Sequence, residues 1–150
     1  IVDASNLERN LYLTLQLLEL EANVVIALNK FDVAEDLGYE IHVSELSKLL
    51  GVPVVPTVAT TRGGMEELKE TVVRAAKEKS RRRIIEISYG KKIDELIAKI
   101  ERILQKDENL TKIYPARWLA IKVLEADDEV LKIIEKSPCV QEIVNLLPEM

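Results

Sequence analysis

Apolar positions follow two different rules along this chain. Up to residue 79, short β-branched runs alternate with stripes at helical spacing. Ile1-Val2 read as the last residues of a strand, and Ser5 or Asn6 is expected to cap the helix that follows. Leu7, Leu11, Leu15 and Leu18 carry that helix, with Leu13, Leu17 and Leu20 widening its apolar face. Val24 to Leu28 is short and nearly all apolar, as in a strand buried on both faces. "HVSELSKLLG" predicts a short helix with Val43, Leu46, Leu49 and Leu50 turned inward and Gly51 as its stop. "VPVVPT" predicts a strand whose prolines place it near a sheet edge. Gly63-Gly64 then opens a helix carrying Met65, Leu68, Val72 and Ala75 or Ala76. Strand alternating with helix in this way predicts a parallel sheet flanked by helices.

After Lys79 no strand pattern returns. "SRRRIIEISYG" reads as a junction, with Arg81-Arg82-Arg83 as a solvated helix end. Ile93, Leu96, Ile97, Ile100, Ile103 and Leu104 form one stripe over four turns. Pro115 fits the first turn of a helix containing Trp118, Leu119 and Val123. Asp127-Asp128 caps another helix, and Ser137-Pro138 opens a last one. The fold expected is α/β over residues 1–80, three parallel strands with helices, followed by an all-α helical bundle over 81–150.

Composition narrows the function. The 150 residues carry 47% apolar and 31% charged side chains and a net charge of −5. A phosphate-backbone binder needs a basic face, so nucleic acid is not an expected partner. Cys139 and His42 are the only residues of their kinds, which leaves no disulfide framework and no Cys/His metal site. Cys139 and Trp118 read as packed residues, and the carboxylates at 107–108 and 127–129 as solvated loop and cap groups. No run reaches the ~18 apolar residues of a membrane span and no signal peptide is visible.

The polar end of the second strand carries the chemistry. Ligands of parallel α/β sheets bind beyond the carboxyl ends of the strands, where Asn29-Lys30-Phe31-Asp32 lies. A carboxylate only accepts hydrogen bonds. Guanine offers two adjacent donors, N1–H and its 2-amino group, which Asp32 can receive together, whereas adenine presents an acceptor at N1. Asn29 can donate its amide to base N7 or brace the neighbouring loop, and Lys30 can lay its methylene stem along a base face. After the next strand comes "PTVATTRGG", where Ala59 can present its backbone N–H to guanine O6. The plain structural alternative is that Asn29 and Asp32 only cap a turn and a helix.

Asn29-Lys30-Phe31-Asp32 resembles the base-reading motif of the Ras-like GTPases. Val58-Ala59-Thr60 falls where that family carries its second base-reading loop, usually Ser-Ala-Lys. Val58 and Thr60 depart from that pattern, so only the backbone contact of Ala59 carries over. "VDASNLERNLYLTLQLLE", "LGVPVVPT", "GGMEELKE", "YGKKIDELI" and "YPARWLAIKVLEADDEV" together resemble FeoB, the prokaryotic ferrous iron transporter family. The resemblance implies the second half of a partial Ras-like P-loop GTPase sheet, then a helical regulatory domain. It implies GTP or GDP as ligand, with Mg²⁺ held by the complete domain. It also implies a transmembrane channel domain beyond Met150 and a place at the cytoplasmic face of the membrane.

No G-x-x-x-x-G-K-[ST] phosphate loop and no D-x-x-G is present, so no catalytic residue is assigned and these residues alone are expected not to hydrolyse GTP. The chain opens inside an apparent strand without methionine, which reads as a piece of a longer protein. Three parallel strands alone would leave an unpaired edge that recruits further strands, from this protein or from a second copy in a homo-oligomer. Two other functions compete with the FeoB reading: a different Ras-like GTPase with an appended helical domain, for example in ribosome assembly, and a non-catalytic interaction module. Guanine binding separates the last from the others.

Overall fold

Side chains at 26–28 have no water to meet, and this settles the first layer of the structure. Ile26, Ala27 and Leu28 are all buried, Leu28 completely, so the backbone that carries them must find its hydrogen bonds in a sheet. The computed structural model describes residues 1–77 and 87–147 and divides into two compact units, Ile1–Ile85 and Glu86–Met150. In the first unit, strands β1 (Val2–Asp3), β2 (Ile26–Asn29) and β3 (Val54–Thr57) form a parallel sheet in the order β1-β2-β3. The register sets Asp3 opposite Asn29 and Asn29 opposite Thr57. All three strands therefore end level, and their outgoing loops start from one line. The expected partial Ras-like sheet is present, with the proline-bearing strand at its edge.

Helices α1 (Leu7–Glu19), α2 (Phe31–Asp36), α3 (Val43–Leu50) and α4 (Met65–Lys77) belong to this unit. Leu7, Leu11, Leu15 and Leu18 of α1 pack on the core formed by Val2, Ala4, Ile26, Leu28, Ala34 and Leu50. Gly51 stops α3 in the left-handed conformation, φ 63°, as its position predicted.

Several details differ from the sequence expectation, among them Leu13 of α1, which is exposed rather than part of the apolar face. The second strand begins at Ile26 rather than Val24. A single 3₁₀ turn, Ala4–Asn6, precedes α1, and its cap is Asp3, whose side chain accepts from the Ser5 N–H; Asn6 makes no side-chain cap bond. Leu49 is 73% exposed, because a helix of two turns presents only the line of Val43, Leu46 and Leu50 to the core. In α4 the buried residue is Thr71 and not Val72. Positions 71 and 72 are both one turn beyond Leu68, so spacing alone cannot choose. The structure buries the threonine with its hydroxyl satisfied by Arg74 Nη2 at 3.2 Å, which removes most of the cost of burying it.

The second unit is all helix: α5 (Lys91–Leu104), α6 (Glu108–Thr111), α7 (Ala116–Leu124), α8 (Asp128–Ile134) and α9 (Val140–Leu146). Ile97, Ile100, Leu104, Leu119 and Val123 are sealed from solvent at its centre, where α7 lies against α5. Ile93, expected in the stripe, is half exposed in the first turn of α5. The short helix α6 was not expected. Asp107 caps it, accepting from Leu110 N at 3.2 Å, and also accepts from the Ser137 hydroxyl at 2.7 Å. Asp127 caps α8 through Glu129 N and Val130 N, as predicted. Cys139 is buried, and Trp118 stacks on Tyr114 with ring centroids 5.6 Å apart. Arg81–Arg83 lie outside the described residues. No helix among the described residues is long and apolar enough to cross a membrane.

The bonds from Ser137 and Leu110 hold the Asp107 carboxyl below its ordinary pKa, with the Ser137 bond the larger cause. A carboxylate whose folded pKa is depressed contributes stability that is present above its unfolded pKa and lost as pH falls through the folded one. Acid titration followed by circular dichroism is expected to show Asp107→Asn losing less stability than the parent as pH drops below the ordinary aspartate range. Core and surface leucines give a second contrast. Leu119→Ala is expected to cost about 2–5 kcal/mol in chemical denaturation, and Leu49→Ala to stay within about 0.5 kcal/mol.

Candidate functional site

Both loops named by the sequence leave from neighbouring strand ends. After Asn29 closes β2, the chain turns through Lys30 in the left-handed region, φ 57° and ψ 37°, and enters α2 with Phe31 and Asp32 in its first turn. A residue with a Cβ pays about 1–2 kcal/mol for that conformation, so the turn is imposed by its surroundings. Asp32 is exposed. It accepts no hydrogen bond among the described residues, and its position in the first turn suits a negative charge.

After Thr57 closes β3, the chain forms a loop pinned at its neck. Val58 N donates to Gly63 O at 3.0 Å and Gly63 N to Val58 O at 3.1 Å. Ala59 and Thr60 are exposed on this loop, and Val58 is half-buried at its neck. Gly64 then passes so close to β3 that an added Cβ would lie 2.1 Å from Pro56 O, with φ at +74°. Glycine is required there both by conformation and by space.

The side chain of Asn29 ties the two loops together. Its Oδ1 accepts from Ala59 N at 3.1 Å and from the Thr57 hydroxyl at 3.4 Å. The Ala59 N–H can only donate, which identifies its partner atom as the oxygen and leaves the amide nitrogen as the remaining donor. Of the two roles open to Asn29 in the sequence, bracing is the one seen here. The Ala59 N–H, expected to face a base, is engaged by Asn29 in this structure.

Sequence reasoning missed Asp3 and Ser5. Asp3 Oδ2 accepts from Lys30 Nζ at 2.6 Å. Its Oδ1 accepts from Ser5 N at 3.0 Å and Ser5 Oγ at 2.6 Å. These bonds, from Lys30 first and Ser5 second, hold the Asp3 carboxyl below its ordinary pKa. Asp3 and Lys30 are 27 residues apart, and only the strand register that sets Asp3 opposite Asn29 brings them together. Among the described residues, no group of three or more His, Cys, Asp or Glu side chains could hold a metal ion.

The family model described as "Ferrous iron transport protein B" matches residues 1–72, and the one described as "FeoB cytosolic helical domain" matches residues 89–149. The chain belongs to the FeoB family. A Porphyromonas gingivalis relative, "Fe(2+) transport protein A/Fe(2+) transporter FeoB fusion protein", is 40% identical over 139 residues, covering 92% of this chain and 16% of its own. The Escherichia coli Fe(2+) transporter FeoB is 40% identical over 134 residues, covering 85% of this chain and 16% of its own. This chain thus spans about a sixth of the curated FeoB relatives it matches.

Among solved structures, a mutant of S. thermophilus NFeoB bound to GDP superposes with a TM-score of 0.82 at 37% identity, covering 97% of this chain and 55% of that one. The cytosolic domain of the T. maritima FeoB iron transporter in a GDP form gives 0.80 at 37%, covering 99% and 54%. S. thermophilus NFeoB bound to mGMPPNP gives 0.79 at 35%, covering 97% and 53%. Those FeoB chains bind guanine nucleotides, and the present chain matches just over half the length of each.

Gly64→Ala is expected to displace the loop after β3, since its Cβ would meet the Pro56 carbonyl. Amide exchange at Val58 and Gly63, which bridge the loop neck, should rise by more than tenfold in that variant. Gly38→Ala is the comparison, because an added Cβ there meets nothing within 4 Å although φ is +80°.

Proposed function

We propose that residues 1–80 are the base-reading, C-terminal half of a GTP-binding domain and that residues 81–150 are the helical regulatory domain that follows it. In the complete protein, guanine-nucleotide binding and hydrolysis at the cytoplasmic face of the membrane would control Fe(II) uptake through a channel domain encoded beyond Met150. Family membership and the nucleotides named for the solved FeoB structures support this reading. The observation that carries it is the Asn29–Ala59 bond, which sets two loops in one frame at the end of a parallel sheet.

Within that frame each residue has a task. Asp32 is exposed with no acceptor duty to the protein among the described residues, so its carboxylate receives guanine N1–H and the 2-amino group. The Asn29 amide nitrogen, which Ala59 does not use, serves base N7. The Ala59 N–H is shared between Asn29 and guanine O6. Lys30 covers one face of the ring with its stem. Val58 and Thr60 shape the loop and contribute backbone. Phosphate contacts, Mg²⁺ ligands and the positioning of the attacking water belong to parts of the GTPase domain other than these residues.

Asp32→Asn in the complete protein is expected to weaken GTP by about 100-fold or more and to favour xanthosine triphosphate, because the amide donates to the xanthine C2 carbonyl that a carboxylate repels. Competition binding with the two nucleotides measures it. Unchanged GTP preference would refute the assignment of Asp32.

A further inference from the structure

The base-reading lysine does not stand free. Lys30 Nζ lies 2.6 Å from Asp3 Oδ2, and both side chains are partly open to solvent, at 55% and 26% exposure. An exposed pair of this kind adds little to stability, so stability alone gives no reason for the order around it. That order is considerable. The other oxygen of Asp3 is held by both the N–H and the hydroxyl of Ser5, which fixes the plane of the carboxylate and aims Oδ2. Lys30 itself is fixed at its backbone in the left-handed region, a local cost of the sort found at functional sites. The register then places Asp3 directly across from Asn29, the residue that holds the Ala59 loop. The strand ends are thus cross-tied twice, Asp3 to Lys30 on one side of β2 and Asn29 to Ala59 on the other.

We propose that Asp3, buttressed by Ser5, is a positioning residue for guanine-nucleotide binding: it anchors the Lys30 ammonium so that the lysine stem is ordered before the base arrives. This rests on the base-reading role given above to Lys30. A free lysine carries large rotamer entropy, and a ligand that must order it binds more weakly than one that finds it ordered. Asp3 touches neither base nor phosphate in this account and acts only through Lys30. Its carboxylate is stabilised in the charged form by Lys30 and by Ser5, so the anchor persists at neutral pH.

The test uses the complete GTPase-containing protein and a fluorescent GDP analogue. Asp3→Asn keeps the shape and an oxygen for Ser5 but removes the charge that holds Lys30. It is expected to raise the nucleotide dissociation rate about 3- to 10-fold. Ser5→Ala, which leaves the ion pair but frees the carboxylate to turn, is expected to give a smaller rise. In a Lys30→Ala background, Asp3→Asn is expected to change nothing further. A purely structural role for Asp3 would instead give effects of the two substitutions that multiply, and that result overturns the proposal. So does an unchanged dissociation rate in Asp3→Asn when Lys30→Ala alone raises it. If Asp3→Asn does not fold, the Ser5→Ala variant with and without Lys30→Ala supplies the same comparison. Asp32→Asn run alongside separates the two levels: a switch toward xanthosine triphosphate with no effect of Asp3→Asn sinks only the anchor, whereas no switch sinks the guanine reading with it.

Discussion

Everything proposed for this site depends on three strands ending level. Parallel pairing sets Asp3, Asn29 and Thr57 side by side, and each strand hands its chain to a loop at that line. Side chains in a strand alternate faces, so a slip of one residue would turn the whole set over. The buried apolar run at 26–28 prevents the slip, because moving it by one residue would drive polar Asn29 into the position of Leu28, which has no solvent contact. The core thereby fixes the register, and the register fixes which polar groups meet. Lys30 reaches Asp3, and Asn29 reaches Ala59, without either contact needing to be strong.

The same logic explains the backbone conformations next to the site. Lys30 is left-handed because the chain must reverse within one residue from a strand that ends at Asn29 to a helix that begins at Phe31. Gly64 is left-handed because the chain must clear the Pro56 carbonyl before α4 starts. One position tolerates a side chain and the other does not, and the difference is the space beside the Cβ. Left-handed residues are not confined to the strand exits, since Glu21 and Ala126 also adopt that conformation just beyond α1 and α7.

Much of this was legible in the sequence. Alternating runs gave the parallel sheet, the helical stripes after Ile93 gave the all-helical unit, and the Asn29–Asp32 pattern pointed to the loop that the structure places at the strand ends. Errors arose where periodicity could not decide. Thr71 and Val72 lie three and four residues beyond Leu68, both on its face, and the bond from Arg74 offsets the cost of burying the threonine hydroxyl. Leu49 fits a stripe, but two turns of helix do not supply a face wide enough to cover it. Helix α6 is four residues long, too short to leave any period. Asp3 was read only within the segment that resembles FeoB, just beyond a strand expected to end at Val2. Its partner Lys30 is remote in sequence, and nothing short of the β1–β2 register joins them.

The pinned neck after β3 divides that loop into two regions with different tolerance for changes in length. Val58 and Gly63 exchange two hydrogen bonds, so the residues between them form a closed cycle whose exit is already determined. An extra residue at Thr60 or Thr61 enlarges the cycle outward, and the entropy of closing a slightly longer loop grows slowly. An extra residue between Pro56 and Val58 does something else, because it lies on the strand side of the neck and rotates every later group by half a pleat. The loop can therefore vary its tip while its root stays rigid, and length variation at the tip is a route to changing what the loop touches without moving Ala59 away from Asn29.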